Sequence, residues 1–204
     1  MKKPEEELAE IKSMMERSTR FLSLSGLSGI LAGLYALIAT GIAWYWIYFP
    51  TSSWGADSEM LSFRELLNRL LLLGLGTLIA AIGSAYLLSN QKSQKTTQPF
   101  WSTASRRFMM ALFLPVALGG LFCFALLHEQ AYVLIPAAML LFYGTGLVQA
   151  SQFTLGEIKN LGFSVAPLGL VAAFFPQWGL LCWGLGFGIL HVIYGTMMYY
   201  RHER

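Results

Sequence analysis

Histidine exchanges a proton near neutral pH, and His191 is the one of three histidines that stands well inside an apolar stretch of this chain. An ionisable group at such depth reads as a ligand or proton carrier, or as a neutral ring bonded to a hydroxyl or carbonyl of the next helix. Gly188 and Gly184 stand three and seven residues before it, so at helical spacing they share its face. A second polar group gathers where another apolar run ends: Gln149, Gln152 and Glu157, with Ser151 and Lys159. It reads as the gate of a cavity reaching His191 and Thr145, as a dock for a cytosolic protein, or as a solvated loop. Haem held by two histidines needs a second ring at the depth of His191. His128 stands at the opposite edge, and His202 lies about 16 Å further along the same helix. Cys123 and Cys182 both sit in apolar runs, and their spacing matches no metal knuckle. No metal and no cofactor is expected.

Ser28 is the candidate nucleophile. Gly26-Leu27-Ser28-Gly29 invites comparison with intramembrane serine proteases of the rhomboid type, which have six spans, a Gly-x-Ser-Gly serine and a histidine in the sixth. Ser28 and His191 would both lie about 10 Å from the inner edge. Here, however, the serine falls in the first span rather than the fourth, and no oxyanion constellation accompanies it. A hydrolase using Ser28 and His191 is therefore a further alternative, and no catalytic residue is assigned.

These side chains have to be held by membrane helices. Of 204 residues, 55% are hydrophobic and 12% charged, and the mean hydropathy is +0.54. A soluble domain carries about a quarter charged residues to coat its surface, whereas a lipid-facing one has no such need. Apolar runs of span length cover residues 22–49, 66–88, 108–127, 131–150, 161–175 and 178–200. The expected fold is an all-α transmembrane bundle of about six spans, arranged as three helical hairpins. Residues 1–21 read as a cytoplasmic amphipathic helix, 22–200 as the membrane domain and 201–204 as a cytoplasmic tail.

Basic residues set the orientation. Lys2, Lys3, Lys12, Arg17, Arg20, Lys92, Lys95, Arg106, Arg107, Lys159, Arg201 and Arg204 fall on one side if the spans alternate. The other side holds Arg64 and Arg69. Both ends of the chain are therefore expected in the cytoplasm. The net charge of +3 is too small and too spread for a nucleic-acid partner. Trp44, Tyr45, Trp46 and Tyr48, with Trp54, read as an aromatic belt on the outer side. Arg64 with Asn68, and Glu65 with Arg69, are four apart and can support one another.

Small residues mark faces where helices touch: Ser25, Gly29 and Gly33; Gly76, Ala80 and Ser84; Gly184 and Gly188, with Gly195 close by. The spacing leaves open whether they pack inside one chain or between copies in a homo-oligomer. A weak internal echo pairs Tyr143-Gly144-Thr145 with Tyr194-Gly195-Thr196, and Pro115 with Pro167, as a parallel repeat of the last two hairpins would.

The stretches Met15 to Phe21, Ser25 to Gly33, Phe142-Tyr143-Gly144 and Phe187 to Gly195 resemble an uncharacterised family of bacterial multi-pass membrane proteins, found mostly among Bacteroidota. The resemblance covers nearly the whole chain. It implies the bacterial inner membrane and brings no activity. It also implies genes set beside a small winged-helix regulator, and so an accessory or sensory role with a cytosolic regulatory partner. The leading expectation is a non-enzymatic sensory, regulatory or scaffolding component surrounded by membrane lipid. The alternative is a small-molecule or ion transporter with a midplane site near His191, where Pro115, Pro136 and Pro167 would break helices.

Overall fold

The computed structural model describes residues 21, 24–49, 62–95 and 101–204. The expected amphipathic helix before residue 21, Trp54 and part of the basic loop between spans two and three lie outside these residues. Among the described residues every regular element is helical, and the fold is an all-α bundle. The helices are α1 (Gly26–Tyr48), α2 (Phe63–Lys95), α3 (Thr103–His128), α4 (Ile135–Ala150) and α5 (Gly156–Phe174). A last span over Pro176–His202 is made of α6 (Gly179–Trp183), a π-helical segment (Gly184–Ile189) and α7 (Leu190–His202).

Five of these helices are long and apolar enough to cross a bilayer: α1, α2, α3, the Tyr132–Phe153 helix containing α4, and the C-terminal span. The fifth in order, α5, has 19 residues, about 28 Å at helical rise. Its first turn carries Glu157, Lys159 and Asn160, which lowers its apolar character. It begins five residues before the apolar run 161–175 because that polar turn is itself helical.

Local chemistry explains the helix ends. Ser102 and Ser105 exchange side-chain and backbone hydrogen bonds of 3.1 and 2.8 Å, closing a capping box that starts α3. Ser62 and Glu65 do the same for α2, the Glu65 carboxylate accepting from the Ser62 N–H at 3.1 Å and its Oγ at 3.0 Å. Glu65 is therefore engaged with Ser62, while the Arg69 guanidinium lies 6.0 Å above the Trp46 ring. Trp44 and Tyr48 pack as a tilted ring pair, 4.3 Å between centroids, on the exposed C-terminal end of α1.

In space the helices run α2, α1, C-terminal span, α5, α4, α3. The C-terminal span gives most of its contact to α1, and α5 gives most of its contact to α4, so the last two spans form the centre of the row. The core lies there: Leu140, Val165 and Ala172 are fully enclosed, with Leu147, Leu161 and Met198 around them. The flanking helices turn large apolar side chains outward, among them Leu72 and Ile79 on α2 and Phe113 and Phe124 on α3. Apolar side chains exposed this densely suit lipid rather than water.

Two interfaces are glycine-on-backbone. A Cβ added at Gly195 would meet Ile30 N at 2.6 Å and Gly26 O at 2.8 Å, and one at Gly33 would meet Gly188 O at 2.7 Å. Gly29 faces Gly195 Cα at 3.2 Å, Gly184 faces Thr40, and Gly188 faces Leu37. Thus Gly29, Gly33, Gly184 and Gly188 all lie between α1 and the C-terminal span of one chain. The second interface joins α4 to α5, where a Cβ on Gly144 would meet Ala166 N at 2.6 Å and one on Gly162 would meet Gly144 O at 2.8 Å. Gly76 is different: nothing lies within 4 Å of its Cβ position, and with Ala80 it lines an open apolar groove of about 210 Å³ between α1 and α2.

Candidate functional site

His191 sits in α7 two residues after the π-helical segment ends. That segment widens the turn, so the Leu190 N–H reaches Leu185 O, five residues back. The His191 Nδ1 follows the same pattern, lying 2.8 Å from Gly186 O, also five residues back. A carbonyl only accepts, so Nδ1 carries the proton. Nε2, 2.8 Å from the Tyr143 hydroxyl, is then the acceptor of a neutral ring. Tyr143 comes from α4, so this bond ties α4 to the C-terminal span. Rings of Tyr143 and Phe187 stack on the imidazole at 5.5 and 6.0 Å, and Trp183 extends the stack from Phe187 at 5.2 Å. His191 is buried, with both nitrogens filled by protein.

The other candidate side chains are not brought to it. Gln149, Gln152 and Thr145 are exposed, and the Thr145 hydroxyl donates back to its own helix, at Leu141 O and Phe142 O. Ser28 is buried and gives its proton to Ser25 O at 2.6 Å. It shares no hydrogen bond with His191, so the described contacts hold no serine–histidine nucleophile pair. Cys123 and Cys182 are both free thiols, the first half-buried and the second buried. Among the described residues no group of three His, Cys, Asp or Glu side chains could hold a metal ion.

Comparison with protein-family models, curated proteins and solved structures finds no match. The chemistry of the chain therefore rests on its own geometry.

A second polar cluster ties together four helices at the end of the bundle where α1 begins. The Glu203 carboxylate accepts from the Gly26 N–H and from the Ser25 hydroxyl at 3.2 Å, capping the N-terminus of α1 from outside that helix. Lys92 of α2 pairs with Glu203 at 3.2 Å and donates to Leu24 O at 2.8 Å. The Ser25 N–H donates to Ser89 Oγ at 3.2 Å. Next to it, Glu157 at the start of α5 takes Arg201 Nη1 at 3.0 Å and lies 3.4 Å from His202 Nε2. The segment 201–204 is thus fastened to α1, α2 and α5 through Glu203 and Arg201. Residue 21 joins the same end: its N–H donates to Phe153 O, and its carbonyl accepts from the Thr154 hydroxyl at 2.7 Å.

Glu157 lies before the apolar part of α5. Burial opposes its ionisation, but its backbone N–H, Arg201 and His202 together outweigh that and hold its carboxyl below the usual range. A depressed carboxylate stabilises the fold above its unfolded pKa and loses that contribution as pH falls through the folded value. Glu157→Gln should therefore lower the thermal midpoint at neutral pH, and the difference should persist down to about 4.5, the ordinary value of a glutamate carboxyl. Below that, the two midpoints converge. A difference that does not change with pH would show that the pairing contributes nothing through charge.

Proposed function

We propose that this chain is a multi-pass protein of the bacterial inner membrane with six spans and both ends in the cytoplasm. Its role is that of a non-enzymatic sensory, regulatory or scaffolding component with a cytosolic protein partner. The observation that carries this reading is the closure of the interior. Both nitrogens of the deepest histidine are used within the protein, glycines bring the central helices to backbone contact, and no buried side-chain nitrogen or oxygen among the described residues lacks a hydrogen-bond partner. Chemistry directed at a ligand would leave a donor or acceptor turned into the site. The polar groups instead concentrate at the inner ends, where a cytosolic partner has access. The resemblance carried by Ser25 to Gly33 and Phe187 to Gly195 agrees with an accessory role.

Transport is the second reading. The helices run on through Pro115 in α3 and Pro167 in α5, and Pro136 only starts α4, so none of the three breaks a span. The irregularity of the kind that midplane sites use is the π-helical segment. Co-purification from mild detergent separates the two. A stoichiometric cytosolic protein that is lost when residues 1–20 are deleted supports the accessory role. A bound small molecule that is lost in His191→Ala, with no protein partner, reverses the order.

The span count has its own test. In a background with Cys123→Ser and Cys182→Ser, cysteines at Gln130 and Gln177 should label with an impermeant maleimide in intact cells, and one at Asn160 should label after permeabilisation alone. Equal labelling of Asn160→Cys and Gln177→Cys in intact cells would mean that α5 does not cross.

A further inference from the structure

We infer that the inner end of the bundle is a binding surface for anionic phospholipid headgroups, carried by Arg106, Arg107, Lys159 and Arg204. The inference rests on the membrane placement proposed above. Its first support is how charge is sorted at this end. The two acids at this end among the described residues, Glu157 and Glu203, turn inward and are consumed by Arg201, His202 and Lys92. Arg106, Arg107, Lys159 and Arg204 turn outward, are exposed, and have no carboxylate partner among the described residues. Among the described residues, pairing inside the chain thus uses up the negative charge and leaves the positive charge at the rim.

The second support is where the cations point. Three of the four stand beside an apolar side chain of the lipid-facing surface. Met110 follows Arg106 by four residues and is strongly exposed. The Lys159 ammonium lies 5.9 Å above the ring of Phe163, also four residues on. The Arg204 guanidinium lies 5.6 Å above Tyr200, four residues back. Phe163 and Tyr200 are themselves exposed. Cations held over outward-facing rings stand at the boundary between hydrocarbon and water, at headgroup phosphate depth. Arg106 and Arg107 also lie near the start of α3, which has no acid in its first turn. Cations at the positive end of a helix dipole are unfavourable by themselves and gain from a phosphate placed between them.

The test is competitive lipid retention. The full chain, purified in mild detergent, is mixed with equal amounts of phosphatidylglycerol and phosphatidylcholine of matched chains, and retained lipids are read by native mass spectrometry. The expected result is a preference for phosphatidylglycerol of roughly five-fold or more. That preference should vanish in R106Q/R107Q/K159Q/R204Q and persist in R64Q/R69Q at the opposite end. The charge-preserving R106K/R107K/R204K should keep it, which separates charge from any damage to folding. Equal retention of both lipids by the unmodified chain overturns the inference, as does a preference that survives in the quadruple glutamine variant. Displacement of phosphatidylglycerol by millimolar inorganic phosphate also overturns it, reassigning the surface to free anions. The readout is made in detergent and does not depend on which end faces the cytoplasm, so it fails independently of the topology and of the partner.

Discussion

Gly195→Leu is expected to destroy the folded bundle. The Cβ site at Gly195 lies 2.6 Å from Ile30 N, 2.8 Å from Gly26 O and 2.9 Å from Gly29 C, all backbone atoms of α1. A flexible neighbour could move aside, but backbone can yield only if α1 and α7 separate. Separation would break the closest contact of the central row and the Glu203 cap at the start of α1. Overpacking among movable side chains costs about 1–3 kcal/mol. Forcing two helices apart costs more, against a total stability of about 5–15 kcal/mol for a folded domain. Even Gly195→Ala should lower the thermal midpoint measurably. Gly41→Ala, in α1 with nothing within 4 Å of its Cβ position, should leave it unchanged. Size-exclusion profiles in detergent, followed by thermal unfolding, provide the comparison. A monodisperse Gly195→Leu with the midpoint of the unmodified protein would sink the glycine-contact account of this interface.

Period and composition made the architecture legible. Uninterrupted apolar runs can only be helices in lipid, so the all-α class followed from the absence of water to satisfy the backbone. Helix ends were less readable, because polar turns such as 156–160 and 89–95 continue a helix beyond its apolar part. Ser62-Phe63-Arg64-Glu65 carries a capping-box pattern, and that local pairing takes the Glu65 carboxylate although the four-residue spacing also allows Arg69. Among the stripes, spacing could not distinguish Gly29 and Gly33, which touch α7 and the π segment, from Gly76, whose Cβ position has nothing within 4 Å. Both sets are four apart, and only the angle at which a helix faces its neighbour separates them. The sequence allows His191 a hydroxyl or carbonyl of the next helix; the hydroxyl, Tyr143, does come from another helix, whereas the carbonyl, Gly186 O, lies in its own span. Tyr143 stood in the Tyr-Gly-Thr echo, but nothing local ties it to a residue 48 positions later. Glu203 was hidden for the same reason. A carboxylate one residue from the chain end looks like part of a solvated tail until folding brings it to the first turn of α1.

His191→Leu tests whether the deepest polar contact supports the fold or serves a ligand. The substitution leaves the Tyr143 hydroxyl without its acceptor and Gly186 O without the ring donor, both inside the bundle. A buried polar group left unpaired costs about 1–3 kcal/mol. In lipid such bonds average nearer 0.6 kcal/mol, because the unfolded helices also find partners. The π-helical segment decides between these values: Gly186 O lies in a widened turn and the imidazole closes it, so the larger figure is expected. Tyr143→Phe strands Nε2 alone and should cost less, about 1 kcal/mol. Combining the two changes removes both ends of one bond, so the double variant should be less destabilised than the sum of the single ones, with a coupling of about 1 kcal/mol. Thermal or denaturant unfolding of the four proteins in one detergent closes the cycle. Coupling of that size marks His191 as a tie between α4 and the C-terminal span. A His191→Leu variant as stable as the unmodified chain, with no coupling to Tyr143→Phe, would free the imidazole from that duty and favour a ligand at the midplane.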